Sequence, residues 1–219
     1  MELPDRLRRE TDWQERAFRL AGRHREELAA ALGTPPDLDR VPQSLWRKIE
    51  DDWAALLLLM LLRTAIDNST RHGHDPDRGG TIGRITQWAS DLSRRRAVDF
   101  AANTGKAIEG KIKGDWNRDA TNARGELGEM LETRARGLIV TEFTTASVYG
   151  GEFATGIEGV RHPDDTWKTH PERSATGPCP VCAPLNGQPR TVWERDFPSG
   201  PPSHPRCVCT IAYVLIGTP

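Results

Sequence analysis

The sequence predicts an α+β protein that is mainly α, with long helices in its N-terminal and central regions and a small β-containing C-terminal subdomain stapled by zinc. Three observations predict this. Long stretches place apolar residues at helical spacing in a charged background. Eleven of the 16 prolines fall in residues 151–219, where regular helix is disfavoured. All four cysteines lie in that same tail. These shifts divide the chain into a helical N-terminal region over 1–104, central helices over 105–150 and a proline-rich metal-binding subdomain over 151–219.

Residues 5–32 lack proline and carry Trp13, Ala17, Leu20, Arg23 and Leu28 at helical spacing, with Gly33 as a stop. Thr34-Pro35-Pro36-Asp37 breaks the chain, and Ser44 is placed to cap a second helix running to about Ser69. Within it, Trp53 to Leu62 is apolar on every side, which predicts burial in a core or against another subunit. That run is too short for a bilayer, which needs about 20 apolar residues.

Residues 71–80 read as a loop; His72, His74, Asp75 and Asp77 within it match no metal-loop spacing and are expected to be solvated. Residues 81–113 return to helical composition, but Gly105, Gly110 and Gly114 predict short helices and turns rather than one rod. Residues 115–119 read as a turn feeding the next helix. From Thr121 to Gly150, the residues Leu127, Leu131, Ala135, Leu138, Glu142, Ala146 and Tyr149 draw one stripe on a helix face. Glu142 is the polar exception in that stripe. A desolvated carboxylate must be paired, hydrogen-bonded or protonated, and with no second acid, serine or histidine at catalytic spacing, a structural role is expected.

The tail contains Cys179-Pro180-Val181-Cys182 and then His204-Pro205-Arg206-Cys207-Val208-Cys209, a C-x2-C-x21-H-x2-C-x-C array. Soft thiolates in two close pairs with an imidazole beside them are what a tetrahedral zinc site uses. The first pair reads as a tight turn, flanked by Gly177, Pro178 and Pro184; Cys207 and Cys209 would face the same side of a strand. Residues 210–216 are rich in β-formers and predict a strand. Five donors, Cys179, Cys182, His204, Cys207 and Cys209, compete for four places; the pair geometry favours all four cysteines, with His204 either replacing one of the second pair or standing outside the metal as a brace. A closed site of this kind is structural, because catalytic zinc keeps a position open for water. Two disulfides are the other arithmetic possibility, but no charged-then-apolar leader is read at the N-terminus and a reducing compartment disfavours them.

The 219 residues suffice for one sizeable domain or for one large and one small. Hydrophobic content is 37% and mean hydropathy −0.60, so the core is expected to rely on long solvated helices or on a partner. Net charge is −1 with acids and bases interleaved, which argues against a broad nucleic-acid surface. Arg94-Arg95-Arg96 reads as a solvated helix face. Between the cysteine pairs lie only Arg190, Arg195 and Arg206, countered by Glu194 and Asp196, a thin footprint for a zinc-ribbon nucleic-acid binder. A nuclease or hydrolase using His204 with Glu142 or His170 is a further alternative, weakened by the absence of a nucleophile with an adjacent base.

The segment from about 105 to 215 resembles the Mu F-like head morphogenesis, or minor head, proteins of tailed bacteriophages. The likeness lies in a helix carrying Thr141-Glu142, then Trp167-Lys168-Thr169, then residues 179–188 around the first cysteine pair, and finally Pro201-Pro202-Ser203-His204-Pro205-Arg206-Cys207-Val208-Cys209-Thr210. The chain departs from the family pattern at Val140, where an arginine is common, and at His170-Pro171-Glu172, where an aspartate is usual. The resemblance implies a non-enzymatic, low-copy virion component located inside the head and, during assembly, in the host cytoplasm. Its implied partners are portal and capsid proteins and copies of itself, with packaged DNA less supported and no membrane. The run 53–62 and the N-terminal helices are then candidate contact surfaces.

Overall fold

The computed structural model describes residues 3–72, 80–116, 122–157, 162–173, 177 and 179–214. Four long helices dominate: α1 (Leu3–Leu32), α2 (Gln43–Arg71), α3 (Thr81–Lys111) and α4 (Ala123–Ile157). The tail adds β1 (Thr166–Lys168), the one-turn α5 (Arg190–Trp193) and β2 (Thr210–Ala212). The mainly helical architecture with a small C-terminal sheet is the one the sequence predicts. Residues 73–79 of the expected 71–80 loop, residues 117–119 of the expected turn, and positions 215–216 of the expected strand lie outside the described residues.

The chain forms two compact units that interleave in sequence: Met1–Arg6 with Met60–Thr86 and Val140–Pro219, and Leu7–Leu59 with Gln87–Ile139. In the second unit, α1 buries Trp13, Ala17, Leu20, Ala21, Leu28 and Leu32, steps of mostly three and four that make one stripe. Trp53 of α2 is fully buried and its ring centroid lies 4.3 Å from that of Phe100. His24 is buried beside it, bonded to Asp52 at 3.0 Å, and burial holds its pKa below the ordinary value.

Three expectations change here. Helix α3 runs unbroken through Gly105 and Gly110 and continues as a wider turn over Ile112–Trp116. Packing overrides the weak helix propensity of glycine: Gly105 lies against the Trp46 ring, and the wide turn is pinned by Trp116 Nε1 donating to Glu126 Oε2 at 3.1 Å. Helix α2 begins at Gln43, which leaves Ser44 in its first turn rather than at the cap. The Trp53–Leu62 run is buried on one face only: Trp53, Leu57, Met60 and Leu61 are inside while Leu59 is 58% exposed.

In the first unit, α4 passes through Gly150 and Gly151 instead of ending there. Both glycines are required by close approach. A Cβ on Gly150 would overlap the Ala65 backbone of α2, and one on Gly151 would overlap the Tyr213 ring. Asn68 Nδ2 donates to the Ser147 carbonyl across the same α2–α4 contact. Gly150→Ala should therefore destabilise the protein by roughly 3 kcal/mol through overpacking, although alanine is the better helix former. Chemical denaturation of the variant checks this; equal or greater stability would refute the close approach.

Strands β1 and β2 pair antiparallel with Trp167 opposite Ile211. Two strands of three residues are not stable alone. They are held by a small core of Val148, Trp167, Cys182, Trp193, Cys207, Cys209 and Ile211. Trp167 and Trp193, the apolar anchors expected from sequence, are both fully buried and meet edge to face at 5.7 Å.

Candidate metal centre

The first cysteine pair sits on a turn; of the second pair, Cys207 closes a turn and Cys209 lies between that turn and β2 rather than on a strand with it. Cys179 starts the first, with the Cys182 and Ala183 amides donating to its carbonyl at 3.1 and 2.8 Å. The second turn closes as Cys207 N donates to the His204 carbonyl at 3.1 Å. Arg206 there takes the left-handed φ of +63°, a conformation a non-glycine residue adopts only when its surroundings enforce it. Helix α4 supplies the enforcement. Arg206 N donates to Thr141 Oγ1 at 2.8 Å, and Thr144 Oγ1 donates to the Cys207 carbonyl at 2.8 Å. Thr144 in turn accepts from Arg6 Nη2 at 2.9 Å, which ties α1 to the same point.

The two turns bring all five predicted donors together. Cys179, Cys182 and His204 form one group and Cys182, Cys207 and Cys209 another, with the ligand atoms of each within 4.8 Å of one another. Cys182 belongs to both. Its sulfur lies 3.3 Å from His204 Nε2 and 3.9 Å from Cys207 Sγ. His204 Nδ1 lies 2.8 Å from the Pro205 carbonyl. A carbonyl only accepts, so Nδ1 donates to it and Nε2 is the ring nitrogen that faces the sulfurs, the one a metal could take. The four cysteines are free thiols; Cys182, Cys207 and Cys209 are buried and Cys179 is half-buried.

The protonation chemistry favours a cation. The Cys209 thiol hydrogen-bonds to Cys207 and draws the Cys207 pKa down to about 5. Cys182 is pushed up to about 11, first by burial. Cys209 is also raised, chiefly because ionising it would break its bond to Cys207. One buried thiolate is thus tolerated, whereas two or three would repel each other without a positive ion among them. Soft sulfur donors plus one imidazole lone pair satisfy that requirement, and the array can hold a metal ion.

Glu142 is 1% exposed on α4. The α4 side chains that grip the second turn are its neighbours Thr141 and Thr144, three residues apart and so on one helix face. Sequence reading gave neither a role, because threonine in a helix carries no distinctive signal. It also missed a buried ion network beside the centre. Arg190 donates to Asp165 Oδ2 through Nε at 3.2 Å and Nη2 at 2.9 Å, and to Glu152 Oε1 at 2.5 Å. These charged pairs lie far apart in sequence, and only the fold brings them into register.

The remaining histidines have other surroundings. His170 places Nε2 2.9 Å from Thr210 Oγ1 and Nδ1 3.1 Å from Glu172 Oε1, and burial lowers its pKa. His72 meets the Tyr213 ring edge to face at 4.8 Å, and burial pushes its pKa down to about 4, so it is not the solvated side chain expected. His74, Asp75 and Asp77 lie outside the described residues.

Thr144→Val keeps the shape of a buried side chain but leaves the Cys207 carbonyl and an Arg6 N–H without this partner. We expect a loss of roughly 1–3 kcal/mol in stability and weaker metal retention under chelator competition. Unchanged retention would show that α4 does not brace the array.

Comparison with models of known protein families, with curated proteins and with solved structures finds no match.

Proposed function

We propose that this protein is a non-enzymatic minor head protein of a tailed phage, a low-copy component that assembles with portal and capsid proteins inside the head. Its C-terminal module is closed by one structural zinc ion. The observation that carries the reading is the convergence of the five donors on two turns, the second held by the Thr141 and Thr144 hydroxyls of α4. The motif whose order resembles the Mu F-like proteins is thereby used as a fastener between a helix and a proline-rich tail. Zinc fits because thiolates and imidazole in a closed set suit it and structural sites are of this composition. No described helix is long and apolar enough to cross a membrane.

The electrostatics support this reading over a zinc-ribbon nucleic-acid binder. Of the three arginines flanking the array, Arg190 is 3% exposed and committed to Asp165 and Glu152, and Arg195 is paired with Asp196 at 3.2 Å. Filter binding should accordingly show no affinity for duplex DNA even at low salt; salt-sensitive binding would favour the ribbon reading.

Elemental analysis of the purified chain should give one equivalent of zinc, with thiols that become reactive only after chelation. Four reactive thiols and no metal would remove the zinc assignment. His204→Ala separates fastener from catalyst: we expect lower zinc content or thermal stability, whereas an intact fold with lost hydrolytic turnover would point to an enzyme. Assembly is tested by co-purification with portal or with phage heads; purified particles that contain portal but lack this chain would overturn the proposed role.

A further inference from the structure

The core beneath the array contains a hydrogen-bond donor that the metal reading leaves unused. Trp167 is fully buried, and its indole Nε1 has no acceptor in full hydrogen-bonding geometry. Buried N–H groups are almost always satisfied, so an orphan at this depth needs a physical reason. The register of the sheet supplies one. Trp167 stands opposite Ile211, and Cys209 precedes Ile211 by two, one position before β2, so that continuing the strand alternation makes it the diagonal neighbour of Trp167. Diagonal neighbours are about 7–8 Å apart, within reach of an aromatic side chain. Both residues belong to the same small core.

We infer that Trp167 donates its indole N–H to the sulfur of Cys209 in the metal-loaded protein, acting as a positioning residue for that ligand. This rests on reading the array as a metal centre. A neutral thiol is a weak acceptor, whereas a metal-bound thiolate carries charge and accepts more strongly. The donor is therefore poorly matched in the metal-free core and well matched once Cys209 is ligated. Trp193 provides an internal contrast: it is equally buried and packed against Trp167, but its Nε1 already donates to the Asp165 carbonyl at 3.2 Å. The two tryptophans fill the same core, and of their two indole donors only that of Trp167 is left unspent beside the thiols. This gives the Trp167-Lys168-Thr169 element of the sequence motif a chemical task beyond filling space.

The test uses the full chain loaded with Co2+, whose thiolate charge-transfer bands report on sulfur donation, alongside Zn2+ affinity measured by chelator competition. Trp167 is replaced by phenylalanine and, separately, by benzothienylalanine, which keeps the bicyclic shape and removes the N–H. Both replacements should shift the charge-transfer bands and weaken zinc binding about tenfold, the lower end of what loss of an outer hydrogen bond to a metal ligand produces. Trp193→Phe should lower stability without shifting the bands. Bands and affinity unchanged with benzothienylalanine would overturn the inference while leaving the metal centre intact, as would an equal shift in Trp193→Phe. If the unsubstituted chain develops no thiolate–cobalt bands, the metal reading falls and this inference falls with it.

Discussion

Cys182→Ser should abolish metal binding and unfold the C-terminal module, a larger effect than the same change at any other cysteine. Cys182 is the donor common to both ligand groups, and its sulfur touches the surroundings of Ser203, His204 and Cys207. Four of the five possible sets of four donors include Cys182, and it is the one member that the two close groups share. Structural zinc in small metal-dependent domains contributes on the order of 10 kcal/mol of apparent folding free energy. Among its described residues the module has a six-residue sheet, a one-turn helix and one small core, far less burial than an independent domain of its length needs. Limited proteolysis should consequently cut the variant within 162–214 first. The unit formed by Leu7–Leu59 and Gln87–Ile139 has its own core around Trp53 and Phe100 and should keep its helicity. His204→Ala and Cys179→Ser, each removing a donor from a single group, should be milder. Wild-type metal content and protease resistance in Cys182→Ser would refute the shared-donor geometry.

Asp165→Ala should cost roughly 3–5 kcal/mol, the range for breaking a buried ion pair and leaving its partner charged. Asp165 is fully buried and serves four groups: Arg190 Nε and Nη2 on one carboxylate oxygen, Val214 N on the other at 2.8 Å, and Trp193 Nε1 on its backbone carbonyl. Removing the carboxylate leaves the Arg190 guanidinium in the core with Glu152 and the more exposed Glu194. The charge cannot be discarded, because the carboxylates around Arg190 favour its protonated form and arginine does not deprotonate in proteins. Asp165→Asn, which keeps an acceptor for Val214 and loses the charge, should fall between the variant and the wild type. Urea denaturation of the metal-loaded proteins measures both, and an Asp165→Ala midpoint within error of wild type would mean the network is not stabilising. Since Asp165 contacts no donor of the array, metal stoichiometry should stay at one in whatever fraction remains folded.

How far each feature could be read in advance depended on the range of the interaction behind it. The five donors were legible because turn chemistry is local: Pro180 between Cys179 and Cys182, and Pro205 after His204, shape each pair within a few residues. The helix of residues 5–32 was legible from periodicity, and the second, expected from Ser44 to about Ser69, from the break before it and its capping residue. Gly150-Gly151 was misleading, since glycine reads as a break when only its backbone freedom is considered. In the fold it marks a place where Ala65 and Tyr213 leave no room for a side chain. The Trp53–Leu62 run looked buried all round because composition gives no direction, whereas Leu59 faces outward.

By itself, the sequence determined the helical class, the proline-rich tail and the identity of the donors, all of which follow from residue types at short fixed spacings. Only the tertiary structure decided that Thr141 and Thr144 hold the second turn, that Arg190 is spent on Asp165 and Glu152, and that Trp167 shares one core with Cys182, Cys207 and Cys209. These contacts join residues tens of positions apart. Nothing in the local chemistry of threonine, arginine or tryptophan selects such a partner until packing fixes which faces meet.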